Sequence, residues 1–188
     1  MRLHQQLLSA FLIICLSSAA ITAQVSLKRQ KVTKEISMEI PESFTPMTQQ
    51  ELYSKFISDR MPIAMYTSAD KRADLGINEN SSTWVGKDLK ILREFYKSNI
   101  TNLFTKVEFI QDDIQEIGGR QFVVFEFVST LVDENSIGDV NTISKYSYIQ
   151  YTIRDNKVLL FNFSCPAMLK RQWQETASTM MNSVKIKK

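Results

Sequence analysis

The chain has 188 residues, of which 44% are hydrophobic and 23% are charged, and this composition is typical of one globular domain. Its formal net charge of +3 is small and does not by itself indicate a nucleic-acid or membrane-surface partner. The chain contains one histidine and two cysteines, so it can assemble few of the common catalytic or metal-binding sets.

The N-terminal residues have the three-part pattern of a secretory signal peptide. Arg2 supplies the positive charge, Leu7–Leu16 is mostly apolar, and small residues follow as far as Ala23. A membrane-spanning helix needs about 20 apolar residues, and this stretch is roughly half as long. We predict cleavage after Ala23 or Ala20, hence a signal peptide at 1–23 and an exported, periplasmic or extracellular protein with no transmembrane segment after processing.

Removal of this leader would also remove His4 and Cys15. The mature chain would then have no histidine and a single thiol, Cys165, at the end of an apolar run. Serine–histidine and cysteine–histidine catalysis, histidine-ligated zinc or haem and an internal disulfide are excluded for such a chain. We therefore expect no metal, no cofactor and a buried Cys165 that packs as an apolar side chain.

No repeat or low-complexity tract divides the mature chain, so one domain is predicted over 34–188. Residues 24–33 are rich in lysine and arginine, which is typical of a solvated, mobile lead-in, and no nucleic-acid partner is expected. Lys34–Ile40 alternates between polar and apolar residues and predicts a half-buried strand. Thr48 and Glu51 have the spacing of a capping box at the start of a short helix. Further strands are predicted at 62–67 and 74–78.

A longer amphipathic helix is predicted from about Lys87 to Phe104. Apolar residues recur along it at spacings of three and four, and the charged residues Lys90, Arg93 and Lys97 lie off that stripe. The stripe consists of Leu89, Leu92, Tyr96, Ile100 and Leu103. A helix with one apolar stripe is expected to pack against another layer of the fold.

Two β-hairpins follow this helix. Their strands are predicted at Val107–Ile117, Arg120–Val132, Ile143–Arg154 and Lys157–Cys165. The pairs Gly118-Gly119 and Asp155-Asn156 separate the strands, and these residue types tolerate the positive φ angles of two-residue hairpin loops. A two-residue loop at the second pair places Arg154 opposite Lys157, and every other pairing in that hairpin follows.

Both faces of the second hairpin are then largely apolar. One face carries Tyr146, Tyr148, Gln150 and Thr152 beside Leu159, Phe161 and Phe163, and the other carries Ile149, Tyr151 and Ile153 beside Val158 and Leu160. Since a sheet with one wet face shows polar residues there, we predict helices on both faces. The last helix begins at Pro166 and has its own apolar stripe. This stripe consists of Leu169, Trp173, Ala177, Met180 and Val184. The expected fold class is α+β, an antiparallel sheet in an α/β/α sandwich.

This order of elements resembles the PsbP-like (Mog/PsbP-type) family. Ile36–Phe44 is similar to the family's opening of a strand, a proline and an aromatic residue, and the paired hairpins and the closing helix through Met180–Val184 are similar too. The family includes the extrinsic PsbP protein of photosystem II, a small Ran-binding nuclear import factor and exported bacterial proteins of unassigned role. The resemblance covers most of the mature chain and implies a non-catalytic accessory or binding role. It supplies no catalytic residue.

Four residues are candidates for ligand binding. Glu126 lies between two phenylalanines and is expected to point away from them, either as a buried, paired carboxylate or as an ordinary exposed one with a cross-strand partner such as Lys145. Tyr146, Tyr148 and Tyr151 have amphipathic rings suited to sugar or peptide contact, although tyrosine in a strand is more often a packing residue.

Two acidic segments favour a structural interpretation. The loop at 133–141 is rich in oxygen ligands, but Ile137 and Ser144 stand where an EF-hand needs oxygen donors, so a solvated connection is expected. Asp112 and Asp113 lie near the first hairpin turn and are expected to be exposed.

The predicted function is that of an exported, non-enzymatic accessory or binding protein of the cell envelope, with an unknown protein or small-molecule partner. The alternative is a carrier that holds a lipid or glycan between sheet and helix, lined by the tyrosines and Glu126. A less favoured hypothesis is a carboxylate-dependent hydrolase, which requires Glu126 and the Asp112/Asp113 group to converge in one cleft.

Overall fold

The computed structural model describes residues 25–55, 61–80, 84, 88–133 and 141–187. The strands are β1 Leu27–Lys31, β2 Ile36–Pro41, β3 Thr45–Pro46, β4 Ala64–Thr67, β5 Asp74–Glu79, β6 Lys106–Ile117, β7 Arg120–Asp133, β8 Asn141–Arg154, β9 Lys157–Pro166 and β10 Lys185–Ile186. The helices are α1 Gln49–Lys55, α2 Leu89–Leu103 and α3 Lys170–Asn182, with a 3₁₀ turn at Ala167–Leu169 before α3. The predicted signal peptide lies outside the described residues.

The main sheet has seven antiparallel strands in the order β3-β4-β5-β9-β8-β7-β6. Both predicted hairpins are present, and all four residues of their turns have positive φ angles. Arg154 lies opposite Lys157, which confirms the predicted register of the second hairpin. The capping box is also confirmed, since the backbone N–H of Thr48 donates to Glu51 and the backbone N–H of Glu51 donates to the Thr48 hydroxyl.

The main sheet separates two clusters of buried apolar side chains. The α3-side cluster packs Trp173 and Ala177 of α3 against Tyr146, Phe161 and Phe163 of the sheet. The α2-side cluster contains Leu92, Ile100, Val123, Phe125, Phe127, Tyr151 and Val158. The second hairpin therefore contributes apolar side chains to both clusters, as predicted, and the fold is an α+β arrangement around an antiparallel sheet.

One residue of the predicted α2 stripe lies in solvent. Leu103 is 67% exposed, because α2 ends there and the next residue, Phe104, has extended backbone angles. The Phe104 ring turns inward instead and lies 6.4 Å from the ring of Phe127. Phe104 thus makes the contact with the α2-side cluster that the helical spacing predicted for Leu103.

A second, three-stranded sheet corrects the prediction of a mobile lead-in at 24–33. Strand β1 pairs with β2 from Leu27 opposite Pro41 to Lys31 opposite Ser37, and β10 pairs with the other side of β2. The backbone groups along both edges of a buried strand need hydrogen-bond partners, and β1 and β10 supply them. Sequence patterning missed β1 because its residues are mostly charged and alternate in no clear way.

None of the helices in the described ranges is long and apolar enough to cross a membrane.

Candidate functional site

Glu126 lies in β7, an interior strand of the main sheet with β6 on one side and β8 on the other, so it is not an edge residue. Its side chain points to the α3-side face, and the residue is 7% exposed. One carboxylate oxygen, Oε1, accepts hydrogen bonds from the Tyr146 hydroxyl at 3.0 Å and from Nε2 of Gln174 in α3 at 2.6 Å. Of the two alternatives for Glu126, the structure shows the buried and hydrogen-bonded one.

Lys145 does not pair with Glu126, because the register places Lys145 opposite Ser129 and Glu126 opposite Tyr148. The partners of Glu126 are uncharged. Sequence reasoning could not have found Gln174, since it lies on a helix that follows two strands later.

The four candidate residues fall on two faces of the sheet. Tyr146 and Tyr148 are in the α3-side cluster with Glu126, whereas Tyr151 is in the α2-side cluster, where its ring stacks on that of Tyr96 at 3.8 Å between centroids. Burial raises the pKa of Tyr148 to about 12, and the nearby Glu126 charge adds to this. Burial and then Glu126 also raise the pKa of Tyr146 well above its ordinary value.

The space around Glu126 is occupied by protein. The Trp173 ring of α3 lies 5.3 Å from that of Phe44 and 5.8 Å from that of Phe163, so the helix is anchored next to the tyrosines. The three cavities described below are lined by other residues. Glu126, Tyr146 and Gln174 therefore form a packed polar link between the sheet and α3.

Asp112 makes ion pairs with α2. The chain bulges between Phe109 and Gln111, and this shifts the side-chain alternation so that Asp112 and not Asp113 faces the helix. Its carboxylate lies 2.5 Å from Arg93 Nε and 2.6 Å from Lys97 Nζ. Burial favours the neutral acid, but hydrogen bonds from Lys97 and Arg93 outweigh it and lower the pKa of Asp112.

The expectation that Asp112 is exposed is therefore wrong, because the bulge turns its side chain toward α2. Asp112 and Glu126 also lie on opposite faces of the main sheet, so the convergence that the hydrolase hypothesis requires is contradicted. Within the described ranges, no group of three histidine, cysteine, aspartate or glutamate residues is placed to hold a metal ion. The loop at 133–141, expected to be a solvated connection, lies mostly outside the described residues, which omit 134–140.

A polar cavity of about 300 Å³ lies over β5 and β9 on the α2-side face. It is lined by Lys55, Met65, Asp74, Gly76, Asn78, Lys145, Asn162 and Ser164, and we call it the Asn162 cavity. Sequence reasoning missed this site. The side-chain alternation along β9 could have indicated the cavity, because the polar residues Asn162 and Ser164 continue the face on which Val158 and Leu160 are apolar.

Two more open clefts border Arg154. They measure about 410 and 590 Å³, and Arg154 lines both. Its guanidinium pairs with Glu35 at 2.6 Å and with Glu79 at 3.2 Å, and Glu79 also pairs with Lys157 at 2.8 Å. The positive charge of Arg154 is thus already neutralised by protein groups.

Several solved structures have a similar fold. The solution structure of cyanobacterial PsbP (CyanoP) from Synechocystis sp. PCC 6803 is similar at a TM-score of 0.56 and 14% identity, over 91% of this chain and 98% of that chain. The chain has a PsbP-like fold. This confirms the resemblance expected from the strand-and-proline opening, the two hairpins and the closing helix.

Two further structures agree in fold. The Ran-binding protein Mog1p of Saccharomyces cerevisiae has a TM-score of 0.54 and 12% identity, over 86% of this chain and 96% of its own. LpqN of Mycobacterium tuberculosis, involved in cell envelope biogenesis, has a TM-score of 0.54 and 8% identity, over 88% of this chain and 92% of its own. No family model and no curated protein matches the sequence. At these identities the likeness concerns the fold.

Proposed function

We propose that this chain is an exported, non-enzymatic accessory or binding protein of the cell envelope. The enclosure of Glu126 carries this proposal. Glu126 is the one carboxylate residue among the described residues that is buried in the core, and its partners are the hydroxyl of Tyr146 and the amide of Gln174. A catalytic acid or base must reach a substrate, and this carboxylate is instead used to join α3 to the sheet.

Two further observations support the proposal. The three-part pattern of residues 1–23 is typical of export, and LpqN, which has a similar fold, is involved in cell envelope biogenesis. The chemistry of the mature chain is also restricted, because histidine would leave with the leader. A binding role is compatible with this chain, because binding does not require a set of catalytic residues.

Export is tested by expressing the full chain with a C-terminal affinity tag in a bacterium. We expect the tagged protein outside the cytoplasm, with an intact mass that corresponds to cleavage after Ala20 or Ala23. The matched control is Leu12→Arg, which interrupts the apolar stretch of the leader and should leave the protein unprocessed. An unprocessed wild-type chain in the cytoplasm would contradict the proposal.

The absence of catalysis is tested with purified protein and Glu126→Gln. We expect no turnover of glycoside, ester or phosphoester substrates by either protein, and cross-linking in the envelope of the native host should join the wild-type protein to a partner. Turnover that Glu126→Gln abolishes, while its circular dichroism spectrum stays unchanged, would show that the chain is a carboxylate enzyme.

A carrier that holds a lipid or glycan against the tyrosines is less well supported. Tyr146 and Tyr148 are at most 1% exposed and lie in the α3-side cluster, so a ligand there would have to displace α3. Native mass spectrometry distinguishes this function, since a carrier of this kind would retain a co-purified mass that disappears on mild denaturation.

A further inference from the structure

The Asn162 cavity has a floor made by two neighbouring strands. Asp74, Gly76 and Asn78 of β5 point to the same face, and so do Asn162 and Ser164 of β9. Gly76 lies directly opposite Asn162 in the β5–β9 ladder. Helix α2 packs mainly on β6 and β7, and no residue of α2 lines the cavity.

The glycine at position 76 keeps this floor open. Met65 of β4 lies opposite Gly76 on its other side, and the Met65 sulfur would be 2.6 Å from a Cβ atom placed on Gly76. A side chain at position 76 would therefore collide with the Met65 side chain, which also lines the cavity. Met65 is also the one apolar side chain among the lining residues that the structure describes, so the cavity is unsuited to a lipid tail.

The charges around the cavity leave one cation uncompensated. Lys55 Nζ lies 2.8 Å from both carboxylate oxygens of Asp74, and the Thr67 hydroxyl also donates to Asp74 at 2.7 Å. These two opposite charges cancel each other. Lys145 lines the cavity and makes no ion pair within the described part of the chain. The lining thus carries a net charge of about +1, and an anion is favoured.

The floor of the cavity also carries hydrogen-bonding groups. Asn162 borders the cavity with a side-chain amide, although its Oδ1 atom is itself shielded from solvent. Asn78 and Ser164 border the same space and bring amide and hydroxyl groups that can both donate and accept.

We infer that the Asn162 cavity binds a small polyhydroxylated monoanion of the uronic-acid class. The carboxylate of the ligand lies against the Lys145 ammonium, and its hydroxyls exchange hydrogen bonds with the polar side chains of Asn78, Asn162 and Ser164. The volume of about 300 Å³ is at the lower end of the range for small-molecule sites and accommodates one sugar ring. This inference rests on the proposed binding role and gives it a ligand class.

Isothermal titration calorimetry of the purified chain with sodium galacturonate and with neutral galactose tests this site. We expect galacturonate to bind about tenfold or more tightly than galactose, because one charge-assisted hydrogen bond distinguishes them. The galacturonate affinity should fall between about 50 and 500 mM sodium chloride, since the Lys145 charge is screened. No heat with either sugar up to about 10 mM, or equal affinities for both, overturns the inference.

Two variants of lining residues and one control variant locate the binding. Lys145→Gln should weaken galacturonate about tenfold and leave galactose unchanged, whereas Lys90→Gln, the matched removal of an exposed lysine on α2, should change neither. Asn162→Leu should abolish binding of both sugars. If Asn162→Leu does not fold, Lys145→Gln still decides, because Lys145 is exposed. Equal galacturonate affinity in Lys145→Gln and Lys90→Gln overturns the inference.

The test separates the ligand site from the proposed function. Proton NMR of the titrated sample shows whether galacturonate is recovered unchanged. Recovered ligand with the expected affinities supports both proposals. Consumption of the ligand would contradict the non-enzymatic role while the site itself stands, and absence of binding by an exported protein would remove the site and leave the role.

Discussion

The Tyr146 hydroxyl and the Glu126 carboxylate meet inside the fold at 3.0 Å, with Tyr146 fully buried and Glu126 only 7% exposed. Gln174 of α3 donates to the same oxygen at 2.6 Å. A strand residue, its neighbour in the next strand and a helix residue are thereby joined through one atom. Polar links of this kind hold a helix in one orientation, because a buried acceptor that loses a donor costs free energy.

Tyr146→Phe removes one donor from this link and retains the ring. We expect the free energy of unfolding to fall by about 1–2 kcal/mol, the usual effect of losing a hydrogen bond to a buried acceptor. Urea unfolding measures the change. Tyr53→Phe is the matched control, because Tyr53 is 67% exposed and its substitution should change stability by less than about 0.5 kcal/mol. Equal effects of the two substitutions would show that the hydrogen bond from Tyr146 to Glu126 does not contribute to the free energy of unfolding.

Asp112→Asn tests the ion pairs between β6 and α2. We expect it to lower the free energy of unfolding by about 1 kcal/mol at neutral pH, a modest value because Arg93 and Lys97 are partly in solvent. Asp113→Asn is the matched control, since the bulge turns Asp113 to the other face, and it should have little effect.

The effect of Asp112→Asn should also depend on pH. The pKa of Asp112 is lower in the folded protein than the ordinary aspartate value near 3.9, so its contribution is present above that value and is lost as the pH falls through the folded pKa. Wild type and Asp112→Asn should therefore approach each other in stability under strongly acidic conditions. A difference between them that stays constant down to the acid transition would contradict the ion-pair explanation.

Gly118→Ala should destabilise the protein more than Gly119→Ala. Both glycines have positive φ angles, of 57° and 78°, so both substitutions cost about 1 kcal/mol of backbone strain. At Gly118 an added Cβ would also lie 2.6 Å from the Val184 carbonyl oxygen, whereas nothing lies within 4 Å at Gly119. Urea unfolding should show that the free energy of unfolding falls by about 2–3 kcal/mol in Gly118→Ala and by about 1 kcal/mol in Gly119→Ala. The reverse order would mean that β10 is not packed against this turn.

Cys165 should be unreactive in the folded protein. It is 3% exposed, and burial raises the pKa of its thiol to about 12, so almost no thiolate is present at neutral pH. We expect Ellman's reagent to react with Cys165 only after guanidinium unfolding. In the control variant Ser98→Cys, one exposed thiol on α2 should react at once, while Cys165 stays protected. Rapid reaction of the folded protein without Cys15, either processed or as Cys15→Ser, would contradict the buried position of Cys165.

The central hairpins were predictable because their signals are local. Two-residue turns with glycine or with Asp155-Asn156 determine the pairing of the strands they join, and Arg154 accordingly lies opposite Lys157. Helix α2 was predictable from its periodic apolar residues for the same reason. Glu126 was placed on the correct face from alternation alone, but its partner Gln174 was not, because the two are far apart in sequence.

Three features required the tertiary structure. Strand β1 has too many charged residues to show a pattern, and it exists because β2 presents an edge for it. The bulge between Phe109 and Gln111 shifts the alternation of β6 and so turns Asp112 toward α2, where it forms ion pairs. The polar part of the α2-side face, at Asn162 and Ser164, becomes a cavity only because β5 pairs with β9.

The sequence by itself determined the antiparallel hairpins and the two apolar clusters, because turn chemistry and side-chain alternation are properties of neighbouring residues. Export is a prediction from the leader pattern alone. Only the tertiary structure decided where a ligand can enter. The Asn162 cavity exists because β5 pairs with β9 and places Gly76 opposite Asn162, across a separation in sequence that no local rule spans.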